Sequence, residues 1–272
     1  LQFDVDEESL QELEVKLHTF VLAAAAVLCC GCLTDVAFAT DDLPSEGPGA
    51  AKTIDVAAPQ EVCKTQVKEL SSICFNAARD GFYAVGDEGT VYETDLAGNT
   101  RKVLYEGKNH DWEGVDFDGS AIWLIDETES TLYTLSGGTL KKVAEVEIPG
   151  GGAAGKGPEG IMCKGDTVYV ANQAQPTRIV KYCRSTGTVT GAVDIKFVTK
   201  FLSDLCYDPT DNTMWIVDSK GPAFYHCTLD GKLLATYNIP FVEQAEALVV
   251  DSRDSIAWVG CDVTSTIYKI KL

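Results

Sequence analysis

Three glutamates, Glu113, Glu159 and Glu246, hold one position of a repeated segment, and Ser71 and Ser203 hold it in two further copies. The copies read ELSSICF (69–75), DWEGVDF (111–117), GPEGIMC (157–163), FLSDLCY (201–207) and QAEALVV (244–250). They align without gaps, and the steps along the column are 42, 46, 44 and 43 residues. Carboxylates brought to one level repel one another, and their pKa values rise unless a cation neutralises them. Ca²⁺ takes hard oxygen ligands in shells of about six to eight. The column therefore points to a single Ca²⁺, with Asp204, next to Ser203, restoring an acid in the fourth copy. Serine hydroxyls, backbone carbonyls and water would complete the shell. The competing reading is that these glutamates only bond the backbone of adjacent loops.

A second polar set follows each copy: Asp87-Glu88, Asp126-Glu127, Asn172-Gln173, Asp218 and Asp262. These residues are expected on loops of the same face, where with Ser71, Ser203, His110 and Trp112 they would rim a ligand pocket. Taken singly, each Asp or Asn is as well explained as a loop cap. His110 is the one histidine near that face by pattern; a general base is one reading, and a surface-loop histidine is the favoured one. Two other chemistries are excluded. GGGAAGKG (150–157) nearly fits a phosphate-binding loop, but Gly157 replaces the required hydroxyl and Pro158 opens a strand instead of a helix. No G-x-S-x-G elbow accompanies His110 or His226, and His226, mid-strand beside Tyr225, reads as structural.

The elements that must position these residues are strands. Between 109 and 135 the chain reads as strands at 112–117, 122–125 and 131–135, each alternating in period two and rich in β-branched and aromatic residues. Tyr83, Trp123, Tyr169, Trp215 and Trp258 share a second-strand position, and Tyr92, Tyr133, Val180, Tyr225 and Tyr268 share a third-strand position. A repeat of about 40–50 residues with several strands is the signature of a β-propeller, one blade per repeat. The fold class expected is all-β, a five-bladed propeller whose inner strands line a tunnel with the glutamates at its mouth. The last repeat ends after its third strand, so an N-terminal strand must close it; residues 52–57 (KTIDVA) have the right pattern.

The 272 residues are 45% hydrophobic and 23% charged, within the range of globular proteins. Net charge is −19, of which the first 39 residues carry −6. An acidic surface excludes nucleic acid and anionic membranes as partners and favours cations or basic ligands. Lys16-Leu17-His18, an apolar run at 20–33 and Ala37-Phe38-Ala39 follow the plan of a secretory signal, with 17–39 as an uncleaved anchor in the alternative. Three regions follow: 1–39, an extension with signal or anchor; 40–51, a linker; and 52–272, the propeller. An exported monomer is expected, periplasmic, secreted or membrane-anchored, with membrane contact through 17–39 only. Seven cysteines lie beyond residue 39. Cys74, Cys163 and Cys206 read as packing residues, and a bridge is open between Cys183 and Cys227 or between Cys63 and Cys74.

The inner-strand segments, together with GFYAVGDEGTVYETDLAG, IWLIDETESTLYTL and VYVANQAQPTRIVKY, resemble the SdiA-regulated (YjiK-like) family across residues 53–272. The specific part is the alternation of Ser and Glu in the inner strands. The resemblance implies a five-bladed propeller, distantly similar to NHL-repeat proteins, exported or anchored in bacteria, with a calcium site on Glu113, Glu159 and Glu246. The chain departs from the family pattern at Ala247, Asp204 and Asn172-Gln173. Two functions follow as expectations. One is a calcium-stabilised module that binds a small molecule or a protein; the other is a calcium-dependent hydrolase of lactones, esters or phosphate esters.

Overall fold

Each inner strand of this protein carries one residue too many for its partner strand, and that irregularity aims the functional column. The computed structural model describes residues 50–151 and 156–272. The expected signal or anchor at 1–39 and most of the linker lie outside the described residues. The described chain is all strand, with no helix, and forms five blades. Blade 1 runs β3 (Leu70–Phe75), β4 (Gly81–Gly86), β5 (Thr90–Asp95) and β6 (Thr100–Glu106). Blade 2 runs β7 (Trp112–Phe117), β8 (Ile122–Asp126), β9 (Thr131–Ser136) and β10 (Thr139–Glu145). Blade 3 runs β11 (Pro158–Lys164), β12 (Thr167–Asn172), β13 (Arg178–Cys183) and β14 (Thr188–Asp194). Blade 4 runs β15 (Leu202–Asp208), β16 (Thr213–Asp218), β17 (Ala223–Thr228) and β18 (Leu233–Asn238), and blade 5 runs β19 (Ala245–Asp251), β20 (Ile256–Cys261) and β21 (Thr266–Lys271). Neighbouring inner strands pack in sequence, and β19 returns to β3, closing the ring.

The last blade is closed by an N-terminal strand, as expected, but not by residues 52–57. β2 (Glu61–Lys64) pairs antiparallel with β21, Val62 opposite Tyr268, and completes blade 5. β1 (Lys52–Asp55) instead adds a fifth, parallel strand to the outer edge of blade 4, Lys52 opposite Ala235. The segment nearest in sequence to β3 takes the closing position. The connection from Lys64 on the rim of blade 5 to Leu70 on the tunnel wall is then short, as connections between strands usually are.

The two aromatic columns fill the gaps between blades. Tyr83, Trp123, Tyr169, Trp215 and Trp258 each pack in the cluster shared with the following blade. Tyr92, Tyr133, Val180, Tyr225 and Tyr268 pack in the cluster shared with the preceding one. Adjacent strands thus send their large side chains to opposite faces, and one apolar layer lies at each of the five interfaces. At the seam, Trp258 of blade 5 sits edge-on to Phe75 and Phe82 of blade 1, centroids 5.5 and 5.8 Å away. The seam is therefore packed as the other interfaces are.

Pairing between the first two strands slips by one residue at the same level in every blade: between Leu70 and Ser72, Trp112 and Gly114, Pro158 and Ile161, Leu202 and Asp204, and Ala245 and Ala247. A β-bulge leaves its extra residue out of the ladder and re-aims the side chain. In four blades that residue is Ser71, Glu113, Ser203 or Glu246; in blade 3 the slip spans Glu159-Gly160. The column read from sequence is a ring of bulges.

Candidate metal centre at the tunnel mouth

Immediately below the bulge ring the tunnel is plugged. Asp204 of blade 4 is fully buried, and its Oδ2 accepts from Ser72 Oγ of blade 1 at 3.1 Å and from Leu248 N of blade 5 at 2.9 Å. Its Oδ1 accepts from Leu205 N at 2.9 Å, and Ser72 Oγ in turn accepts from Val115 N of blade 2 at 3.1 Å. Blade 3 makes room: a Cβ on Gly160 would lie 2.5 Å from Asp204 Oδ1. Burial pushes the Asp204 carboxyl well above its usual range, against the pull of its donors. Asp204 and Ser72 thus tie the inner strands of blades 1, 2, 4 and 5 by hydrogen bonds, and blade 3 packs closely against them at Gly160. The structure gives Asp204 to this plug, a residue further along β15 than the mouth position held by Ser203.

Above the plug, the structure draws Asp87, Asp111 and Glu113 together, with one carboxylate oxygen from each lying within 4.8 Å of the others. Glu113 is nine-tenths buried, yet no hydrogen bond or ion pair reaches its carboxylate among the described residues. Glu159 and Glu246 each have a single amide donor, Gln173 Nε2 at 2.6 Å and Gln244 Nε2 at 2.8 Å. Ser71 Oγ lies 3.0 Å from Asp87 Oδ1. The hydroxyls of Ser203 and Ser219 are buried without a partner. The mouth is a set of oxygen acceptors with too few donors.

Electrostatics state the same shortage. Burial, then repulsion from Glu159, Asp87, Glu246 and Asp111, pushes Glu113 well above the ordinary carboxylate range. Burial, then Glu127 and Glu246, does the same to Glu159. Glu246 is raised to about 7 by burial and Asp262, and Asp87 to about 6 by burial, with Asp111, Glu69 and Asp262 adding to it. Asp111 and Asp262 are raised as well, again chiefly by burial. Lys220, bonded to Gln244 Oε1, offsets only the blade 5 side of the ring. A hard divalent cation fits this donor set, which offers carboxylate, hydroxyl and amide oxygen and no sulfur.

The predicted rim separates into two rows. Asp87, Glu127, Gln173 and Asp262 belong to the mouth: Glu127 Oε1 accepts Gly157 N at 3.0 Å, and Asp262 Oδ2 accepts Gln244 Nε2 at 2.7 Å. Asp126, Asn172 and Asp218, each one residue earlier and ending its strand, are fully buried loop anchors. Asp218 alone accepts the amides of Thr199, Lys200, Phe201, Lys220 and Gly221. Asn172 Nδ2 bonds the carbonyls of Ala174 and Pro176. Glu88 is exposed and paired with Lys68 at 2.7 Å. These anchors are the loop-cap reading, and Glu127, holding the amide of Gly157, shares that role from the mouth row.

His110 is more tightly held than a surface-loop histidine. Its Nδ1 is 2.8 Å from Asp126 Oδ2, and its ring stacks on Trp112 at 4.3 Å and meets Tyr133 edge-on at 5.1 Å. Trp112 is fully buried between blades 1 and 2, not a pocket lining. His226 stacks on Trp215 at 4.1 Å and bonds Thr213 Oγ1 at 2.6 Å, the structural role expected of it. Asp111 was missed. It opens the inner-strand segment, as Glu69 and Gln244 do, and that first column is the readable signal: a bulge at the third position turns both toward the mouth.

No family model matches this chain, and no curated protein matches it in sequence. Solved structures match it in fold. Glutaminyl cyclase of Myxococcus xanthus aligns with a TM-score of 0.64 at 12% identity, covering 82% of this chain and 98% of that one. Regucalcin of Agrobacterium tumefaciens, a calcium-binding protein, gives 0.54 at 14% identity over 81% of this chain and 95% of its own. A luciferin-regenerating enzyme gives 0.50 at 14% identity, over 77% and 80%. At these identities the likeness is one of propeller fold, shared by enzymes and binding proteins alike.

Proposed function

We propose that this protein is an exported calcium-binding propeller whose acidic mouth serves as a binding module for a small molecule or a protein. The observation that carries this reading is Glu113, a buried carboxylate with no donor, set within reach of Asp87 and Asp111. Asp87, Asp111 and Glu113 would hold one Ca²⁺, with Glu159, Glu246 and the free hydroxyl of Ser203 close enough in the ring to reach it directly or through water. Bound calcium supplies a fixed positive centre toward which a ligand's carboxylate, phosphate or carbonyl oxygen can turn. The resemblance of the inner strands to the SdiA-regulated family supports the same assignment.

Thermal unfolding of the purified protein with chelator and with millimolar Ca²⁺ tests it. An ion that binds only the folded chain stabilises it by RT ln(1 + [L]/Kd), about 2.7 kcal/mol at one hundred times Kd, so a rise of several degrees is expected. A melting curve that neither calcium nor chelator moves contradicts it. In the same preparation, turnover of lactones, esters or phosphate esters that stops with chelator would convert the binding module into a hydrolase.

A further inference from the structure

Beneath the Asp204 plug the tunnel opens to the other face as a cavity of about 620 Å³, within the size range of small-molecule sites. The inner strands make its deep wall. Two residues on from the plug level, each strand presents the same face again: Cys74 after Ser72, Asp116 after Gly114, Cys206 after Asp204 and Val249 after Ala247. Asp116 is the one charged group at that level. Both of its oxygens already hold backbone amides, Phe117 N at 2.8 Å and Cys163 N at 2.5 Å. The rest of the deep wall is thiol and hydrocarbon, and Phe75, Phe117 and Tyr207, one residue further along, add aromatic surface.

The rim on the side of blades 1 and 5 is different in kind. Arg79 follows β3 and Arg253 follows β19, and both line the cavity. Nη2 of each lies 2.8 Å from the same oxygen, Oδ2 of Asp251, so the two guanidiniums meet at one point. Arg253 also places Nε 3.1 Å from Oδ1, so its pairing with Asp251 is two-pronged. Among the described residues no other hydrogen bond leaves either guanidinium. A guanidinium carries a fork of N–H donors suited to carboxylates, and most of these donors are unspent. The charges agree. One carboxylate faces two guanidiniums here, whereas Asp118 has Arg184 as its own partner, and Asp208 is held by the indole of Trp215 and the hydroxyl of Ser252. A clasp across the seam between blades 5 and 1 would need Arg79 alone.

We propose that this cavity is a second binding site, one that takes a small organic monoanion, with a compact apolar body against the deep wall and a carboxylate between Arg79 and Arg253. One positive charge is left over at that rim, so a single carboxylate balances it. A dianion would bring charge to spare toward Asp118 and Asp208. The body is apolar because the deep wall offers thiols and hydrocarbon, and its one carboxylate is already engaged. Phe75, whose ring centre lies 4.0 Å from the Arg79 guanidinium, steadies that group on the rim.

Calorimetric titration of the intact protein with benzoate and with isovalerate tests the assignment. At least one of the two should bind as a single equivalent per chain. Benzamide and benzylamine keep the ring and lose the negative charge, and acetate keeps the charge and loses the body; each should bind about tenfold more weakly or not at all. Arg79→Met and Arg253→Met should each weaken the bound carboxylate about tenfold or more. Both side chains reach solvent, so the fold should survive either change. Chelator should leave binding as it was, because the plug separates this cavity from the calcium mouth. The assignment is overturned if neither carboxylate binds, if acetate binds as tightly, or if both arginine variants bind as the native chain does. Binding lost with chelator overturns it too, as does benzylamine outdoing benzoate, which would turn the cavity toward cations at Asp116. None of these outcomes tests calcium at the upper mouth.

Discussion

The two ends of the tunnel carry the same kind of residue and treat it in opposite ways. At the lower end, Asp118, Asp208 and Asp251 continue the inner strands of blades 2, 4 and 5, and all three are held below the ordinary carboxylate range. Arg253 and Arg79 clamp Asp251, each with a contact of 2.8 Å. Burial works against Asp118 and Asp208 but is outweighed by donors, among them the indoles of Trp123 at 2.8 Å and Trp215 at 2.9 Å. Arg184 adds a contact of 2.5 Å to Asp118. At the upper end, Asp87, Asp111, Glu113, Glu159, Glu246 and Asp262 are all raised. The difference lies in what faces each carboxylate. Below, the protein supplies its own cations and N–H donors; above, the acids face one another. That one ring of acids is completed and the other left short is what the proposed external cation at the upper mouth accounts for.

Breaking the partition between the two ends should have the largest effect. Asp204→Ala orphans Ser72 Oγ, Leu205 N and Leu248 N at once and unties the inner strands. Each buried donor left alone costs about 1–3 kcal/mol, so a loss of about 3–5 kcal/mol is expected in urea unfolding. A loss below about 1 kcal/mol would show that the plug holds little.

A pH series sharpens the contrast next. For the upper acids the folded pKa exceeds the unfolded one, so the calcium-free protein takes up protons on folding between about pH 4 and pH 7. Stability from these groups is highest at the acid end of that window and falls as pH rises through it. The calcium-free protein should melt several degrees higher at pH 5 than at pH 7.5. Saturating Ca²⁺ should flatten or reverse that slope. Asp118, Asp208 and Asp251 carry the opposite sign, their contribution being present above about pH 4 and lost on further acidification, whereas Asp116, raised to about 7 by burial, follows the upper acids. The same titration should therefore turn downward below that point.

The smallest effect is expected at the lower rim. Arg79→Met keeps the packing on Phe75 and removes one of two guanidiniums from Asp251, which Arg253 still holds. Arg79 is nearly half exposed, so a cost of about 1 kcal/mol or less is expected, and high salt should erase it. A larger loss would mean that the lower ring depends on its cations as strongly as the upper one is proposed to depend on calcium.

Much of this was legible in the residues, and the exceptions have physical causes. The period, the five blades, the aromatic columns and the Ser/Glu ring all follow from repetition, because each blade meets the same two neighbours. The closing strand was misplaced because 52–57 and 61–64 alternate equally well, and no local pattern tells which of the two pairs with β21. The rim residues split into mouth groups and anchors because a strand turns successive side chains to opposite sides, so Asp126 and Glu127 cannot share a role. Asp204 read as a mouth ligand because its partners, Ser72 and Leu248, are 132 and 44 residues away. No local pattern encodes a bond across the tunnel. The bridges left open between Cys183 and Cys227 and between Cys63 and Cys74 are absent among the described residues. Cys227 is wholly buried in the interface of blades 3 and 4, whereas Cys183 bonds Asp166 at the surface.

The upper mouth's dependence on an external cation is tested most directly by calorimetric titration of the chelator-treated protein with Ca²⁺, alongside Glu113→Gln. The account predicts one site in the native protein, and a Glu113→Gln chain that binds at least tenfold more weakly yet melts higher than the native chain without calcium, because one buried repulsive charge is gone. No binding heat in the native protein, or a Glu113→Gln chain that binds as well as the native one, would contradict it.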